Sequence, residues 1–139
     1  MSRGLGDVYK RQIPGLIHRM HLAKENKDPS FEIWGTGSPL REFMYVDDLG
    51  YAIEFLLDKK VNDNLINVGT GEEISVMNLA IKIKEIIGYK GEISNDLDKP
   101  DGNPRKLLDS SLINSMGWKS QVILDDGLVK TYDWYRSNI

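Results

Sequence analysis

Apolar side chains recur along this chain in two periods, and the alternation between them predicts its architecture. Ile13, Leu16, Ile17, Met20 and Ala23 follow helical spacing, with Pro14 suited to a first turn and Asn26 to Pro29 ending the run. The same spacing returns at Leu49, Ala52, Ile53, Leu56 and Leu57, where Asp47 or Asp48 can cap the helix start. It returns again at Val76, Leu79, Ala80, Ile83, Ile86 and Ile87, opened by Ser75 and closed by Gly88. A last stripe of Leu128, Val129, Tyr132 and Trp134 or Tyr135 follows Asp125, and a short helix fits between Ser110 or Ser111 and Gly117. Between the helices stand short β-prone runs, Phe31 to Trp34, Glu42 to Val46 and Leu65 to Val68, with lesser candidates at Glu92 to Ser94 and Lys106 to Leu108. Strand and helix units alternating in this way predict an α/β fold, with parallel pairing among Phe31 to Trp34, Phe43 to Val46 and Leu65 to Val68.

Met1 to Gln12 shows neither period and is expected to stand outside the fold as a non-native or disordered leader, leaving residues 13–139 as the domain. A chain of 139 residues that is 40% hydrophobic can bury one core. Its formal charge of -3, from 18 basic and 21 acidic side chains mixed along the chain, offers no broad positive field for a nucleic acid. With no cysteine, disulfides and thiolate metal sites are excluded. His18 and His21 share one predicted helix, but no carboxylate completes a metal-binding pattern, and helical position explains them more simply. No apolar run approaches the roughly 18 residues of a spanning helix, so a cytoplasmic protein without a membrane partner is expected.

The chemistry concentrates in Trp34-Gly-Thr-Gly-Ser-Pro-Leu-Arg-Glu-Phe, continuing to Val46-Asp-Asp-Leu49. A ring, a glycine turn stiffened by Pro39 and the cation of Arg41 could together rim a ligand, although a tight turn with Trp34 in the core fits the same residues. The adjacent carboxylates of Asp47 and Asp48 suit capping and the helix dipole better than paired catalysis. Gly69-Thr-Gly71 lacks both the lysine of a phosphate-binding loop and the spacing of a dinucleotide fingerprint.

Taken together, Trp34-Gly-Thr-Gly, Arg41-Glu-Phe, Val46-Asp-Asp-Leu49, Asn67-Val-Gly-Thr-Gly71 and Lys99-Pro-Asp-Gly-Asn-Pro-Arg-Lys106 resemble the C-terminal part of the GDP-L-fucose synthase family. The middle three groups recur widely in extended short-chain dehydrogenases, and Lys99 to Lys106 narrows the resemblance to the fucose enzymes. It covers Ile13 through Trp134. It implies the late Rossmann strands and substrate-binding region of a truncated α/β enzyme. The parent would use NADP(H) to convert GDP-4-keto-6-deoxy-D-mannose by epimerisation and then reduction of the C4 keto group, as a homodimer. The family's cofactor fingerprint and its serine, tyrosine and lysine set lie upstream of this part. Its proton-transferring cysteine has no counterpart here, and its histidine is replaced by Arg11.

On that resemblance Arg19, Trp34, Arg41 and Asp101 are the substrate-binding candidates for a GDP-sugar, no residue is catalytic, and the chain alone should neither hold NADP(H) strongly nor turn over. A guanidinium suits a pyrophosphate, an indole suits a base or sugar face, and a carboxylate accepts hydroxyl or base hydrogen bonds. Arg19 could equally be a solvated helix residue, and Arg105 and Lys106 stand outside the principal site. Two alternatives stay open: a non-catalytic sugar-nucleotide-binding or assembly module, and the C-terminal part of another extended dehydrogenase.

Overall fold

The computed structural model describes residues 12–62 and 65–139. The expected leader therefore lies outside the described residues except for Gln12, which opens helix α1 (Gln12–Asn26). That helix turns Leu16, Ile17, Met20 and Ala23 inward, as its periodicity requires. It leads into β1 (Ser30–Trp34), where strict alternation sends Phe31 and Ile33 into the core and leaves Ser30, Glu32 and Trp34 outside. Strand β1 pairs in parallel with β4 (Glu92–Asp96), from Ser30 opposite Glu92 to Trp34 opposite Asp96.

Helix α3 (Val76–Ile87) starts where the sequence places it: the Asn78 amide donates to Ser75 Oγ at 3.1 Å, and Gly88 ends the helix in the left-handed region at φ 73°. Helices α1, α3 and α5 (Leu124–Ser137) close over β1 around Met20, Ile33, Leu79, Ile83 and Leu128. A second sheet runs beside this core in the order β3, β2, β5. In it β2 (Leu40–Glu42) is antiparallel to β3 (Glu73–Ser75) and parallel to the short β5 (Arg105–Lys106).

The α/β class holds, but two predicted strands fall elsewhere. The run Glu42 to Val46 is strand only at Glu42, because β2 begins at Leu40 and Val46 already opens α2 (Val46–Leu57). Leu65 to Val68 takes no strand pairing among the described residues, and the second sheet uses Glu73–Ser75 instead. The parallel pairs are accordingly β1 with β4 and β2 with β5, not those expected from the three apolar runs. A β-prone run becomes a strand only where a neighbouring chain takes its amides and carbonyls.

The capping role foreseen for Asp47 or Asp48 is also corrected. Tyr45 is the N-cap of α2 and no side chain caps it. Asp48 is instead 1% exposed, and its Oδ2 accepts from the amides of Gln121 at 3.1 Å and Val122 at 2.9 Å, so it pins the segment that enters α5. On the same side of α2, Ala52 packs with Ile113 of α4 (Ser111–Ser115) and with Trp118 in a second apolar cluster. The other side is uncovered: Val46, Leu49, Ile53 and Leu57 recur at helical spacing and are all exposed, Leu57 to 81%.

Candidate functional site

The glycine turn after β1 is built by residues that leave little choice. Gly35 and Gly37 sit at φ 71° and 74°, conformations that side chains rarely adopt. A Cβ on Gly35 would collide with the Asp101 carboxylate, and one on Gly37 would lie 2.9 Å from both Ile33 Cδ1 and Met77 Cβ. The turn is then stapled to the end of β4 and to the segment after it. The Gly35 amide donates to Asp96 O at 2.8 Å, and Asn95 Nδ2 donates to Gly35 O at 2.8 Å. Asp101 completes the staple, accepting from the Thr36 amide at 2.6 Å and from Thr36 Oγ1 at 2.9 Å.

A cleft of about 430 Å³ opens beside this staple. Arg19 from α1, Trp34 from the end of β1 and Asp101 from the stapled segment all line it, with Leu16, Pro39 and Val76 among its apolar walls. Trp34 is 64% exposed, which disposes of a core role for the indole. Lys99 Nζ stands 5.9 Å from the Trp34 ring centroid, and Lys99 is a residue that sequence reasoning gave no role of its own. The guanidinium of Arg19 lies over the Phe31 ring, its Cζ 5.0 Å from the centroid, and makes one long bond of 3.5 Å to Glu32 O. Desolvation against that ring lowers its pKa from the ordinary arginine value, and no carboxylate pairs with it among the described residues. An arginine remains cationic through such a shift, so the cleft carries a directed positive charge.

Arg41, the fourth candidate, is not in the cleft lining. Its Nη1 donates to Leu40 O at 2.7 Å and to Asn103 O at 2.8 Å, tying β2 to the segment before β5. The neighbouring Glu42 was not singled out by sequence reasoning, yet it joins two loops by accepting from the amides of Gly71 at 2.7 Å and Leu108 at 3.2 Å. Only its place beside Arg41 in the motif could have flagged it. Arg105 forks onto Glu73 across the second sheet at 2.6 to 2.9 Å. That bond holds the Glu73 carboxyl below its usual pKa and raises that of Arg105.

The two histidines face protein partners. His18 Nδ1 lies 2.8 Å from the Tyr135 hydroxyl and His21 Nδ1 lies 3.0 Å from that of Tyr132. Among the described residues no group of three histidine, aspartate or glutamate side chains could hold a metal. At Gly69-Thr-Gly71 the Gly71 amide donates to Glu42 Oε1 at 2.7 Å, and a Cβ on Gly69 would collide with the same carboxylate. No helix of the described residues is long and apolar enough to cross a membrane.

Comparison with known proteins agrees with the fold and the motifs. Residues 2–69 match the model of the NAD dependent epimerase/dehydratase family. The chain is 49% identical over 127 residues to GDP-L-fucose synthase 1 of Arabidopsis thaliana, covering 91% of this chain and 39% of that protein. It is 38% identical over 135 residues to GDP-L-fucose synthase of Escherichia coli, covering 91% of this chain and 42% of that one. Among solved structures, the GDP-mannoheptose C4 reductase of Campylobacter jejuni with NADP bound superposes with a TM-score of 0.78 at 35% identity, over 91% of this chain and 45% of that one. The chain thus spans about two fifths of the length of the curated relatives it matches. From the motif set, the shared α/β fold and identities sustained across nine-tenths of its length, the chain is homologous to the GDP-L-fucose synthases and to enzymes of the NAD dependent epimerase/dehydratase family.

Proposed function

We propose that this chain is the sugar-nucleotide-binding portion of an NADPH-dependent enzyme that epimerises and reduces GDP-4-keto-6-deoxy-D-mannose to GDP-L-fucose. The observation that carries this reading is the convergence of Arg19, Trp34 and Asp101 on one cleft from three separate segments. Arg19 supplies a cation without a carboxylate partner among the described residues, suited to a diphosphate. Trp34 offers an exposed indole for the base or sugar face. Asp101 holds the turn in shape through Thr36 and keeps spare lone pairs for a ligand donor. Arg41 spends Nη1 on the backbone, and its remaining N–H groups are free of protein bonds among the described residues, so it keeps donors that a phosphate could take.

The chain's share of the reaction is binding and orientation. Hydride comes from NADPH in this reading, and no described residue is assigned a catalytic role. The uncovered stripe of α2 and the unpaired run at Leu65 to Val68 fit against a further α/β layer, consistent with relatives more than twice as long. In the whole enzyme a cytoplasmic homodimer belongs to the same reading. The likeness to a GDP-mannoheptose C4 reductase favours a second reading, in which the GDP end is held in the same way and the reduced sugar differs.

Calorimetric titration of the chain with GDP, UDP, GDP-L-fucose and NADPH tests the proposal. Binding of the guanine nucleotides, with little response to UDP or NADPH, is the expected result. Equal or stronger NADPH binding, or no preference for GDP, refutes it. Formation of GDP-L-fucose by this chain alone would refute the division of labour.

A further inference from the structure

The cleft-lining face of α1 is one of three stripes on that helix. Gln12, Leu16 and Arg19 recur at helical spacing and face the cleft, while Ile17 and Met20 form the buried stripe next to them. His18 and His21 lie on the opposite flank of the buried stripe, where they meet α5. Each imidazole takes a separate phenol: His18 Nδ1 is 2.8 Å from the Tyr135 hydroxyl, and His21 Nδ1 is 3.0 Å from the Tyr132 hydroxyl. The rings also interlock. His18 stands edge-on to Tyr135 at 6.0 Å, His21 stands edge-on to it at 5.4 Å, and Tyr132 and Tyr135 stack at 6.4 Å between centroids. Helices α1 and α5 both pack against α3, and this ring layer joins them to each other across the core.

We infer that Tyr132 and Tyr135, through His21 and His18, are positioning residues that fix the roll of α1 and thereby aim Arg19 into the cleft. The buried stripe of Ile17 and Met20 is apolar, and apolar packing is non-directional, so it resists separation of the helix better than rotation about its axis. Two hydrogen bonds one helical turn apart on a single flank are directional and oppose that rotation. The leverage is large: a roll of about 10° moves an atom at the roughly 6 Å outer radius of a helix by about 1 Å. A displacement of that size separates a bidentate guanidinium contact from a lost one. Among the described residues Arg19 makes one long hydrogen bond, so its aim depends on the helix that carries it.

The test compares the chain with Tyr132→Phe, Tyr135→Phe and the double variant, which keep both rings and remove only the hydroxyls. An Ile113→Val variant in the second apolar cluster serves as a destabilised control far from α1. The first readout is the Nε–Hε resonance of Arg19, which the Phe31 ring shifts while the guanidinium lies over it. The second is GDP affinity by calorimetry. In the double variant the Arg19 resonance should move toward the solvent-exposed position and GDP affinity should fall three- to ten-fold, roughly the loss of part of one charge-assisted bond. Ile113→Val should leave both unchanged. An unmoved Arg19 resonance in the double variant, or the same movement in the control, overturns the inference. Only the affinity arm rests on the sugar-nucleotide reading of the cleft: if the unaltered chain fails to bind GDP, that reading falls, while the Arg19 resonance still decides this one.

Discussion

Replacing Arg19 by alanine separates a binding cation from a structural one. Its guanidinium lies 5.0 Å above Phe31, has no carboxylate partner among the described residues and bonds only to Glu32 O at 3.5 Å. The fold therefore loses one weak bond and some ring contact, about 0.5 to 1 kcal/mol of stability. A diphosphate in the cleft loses a charge-assisted hydrogen bond, about 1.5 to 3 kcal/mol, or roughly ten-fold to more than a hundred-fold in affinity. Desolvation of the free guanidinium against Phe31 works in the same direction, because an arriving anion relieves it. Arg41→Ala should lower both quantities. Its Nη1 bond of 2.8 Å to Asn103 O holds β2 to the segment before β5, so melting temperature falls and GDP affinity falls with it. Thermal unfolding and GDP calorimetry on both variants give the four numbers needed. Unchanged GDP affinity in a folded Arg19→Ala chain would remove Arg19 from the site.

Asp48→Ala should be among the most damaging single changes, lowering stability by about 2 to 4 kcal/mol because the amides of Gln121 and Val122 lose a buried acceptor; urea unfolding measures it, and a loss below about 1 kcal/mol would show the pin to be dispensable. The Glu73 to Arg105 fork stabilises the second sheet above the ordinary glutamate pKa and is lost as pH falls through the lowered pKa of the folded state. Glu73→Gln should accordingly flatten the acid limb of a melting temperature against pH curve, and an unaltered limb would show that the pair contributes nothing there. Exchanging Val46, Ile53 and Leu57 on the uncovered face of α2 for polar residues should raise solubility with little change in melting temperature, as followed by light scattering and calorimetry. A large drop in melting temperature would show that this face already packs within the chain.

How much of this was legible beforehand follows the range of the forces involved. Helical periodicity is local, so the stripes of α1, α3 and α5, the Ser75 cap and the Gly88 stop were all present in the linear order of residues. The glycine turn after Trp34 was legible for the same reason, since Gly35 and Gly37 answer a backbone requirement that each residue meets by itself. Candidate residues for the cleft were legible as chemical types carried by motifs. Strand identity was not, because Leu65 to Val68 and Glu73 to Ser75 differ in what lies beside them and not in what they are. Only the folded chain could show Asp48 turned from its own helix to the amides of Gln121 and Val122, or Arg41 spent on the carbonyls of Leu40 and Asn103. It alone set His18 and His21 against Tyr135 and Tyr132, more than a hundred residues away in sequence. The sequence by itself determined which chemical types stand at Arg19, Trp34, Arg41 and Asp101. Tertiary structure decided that Arg19, Trp34 and Asp101 share one cleft, because hydrogen bonds and ring contacts act over a few ångströms of space, whatever their separation along the chain.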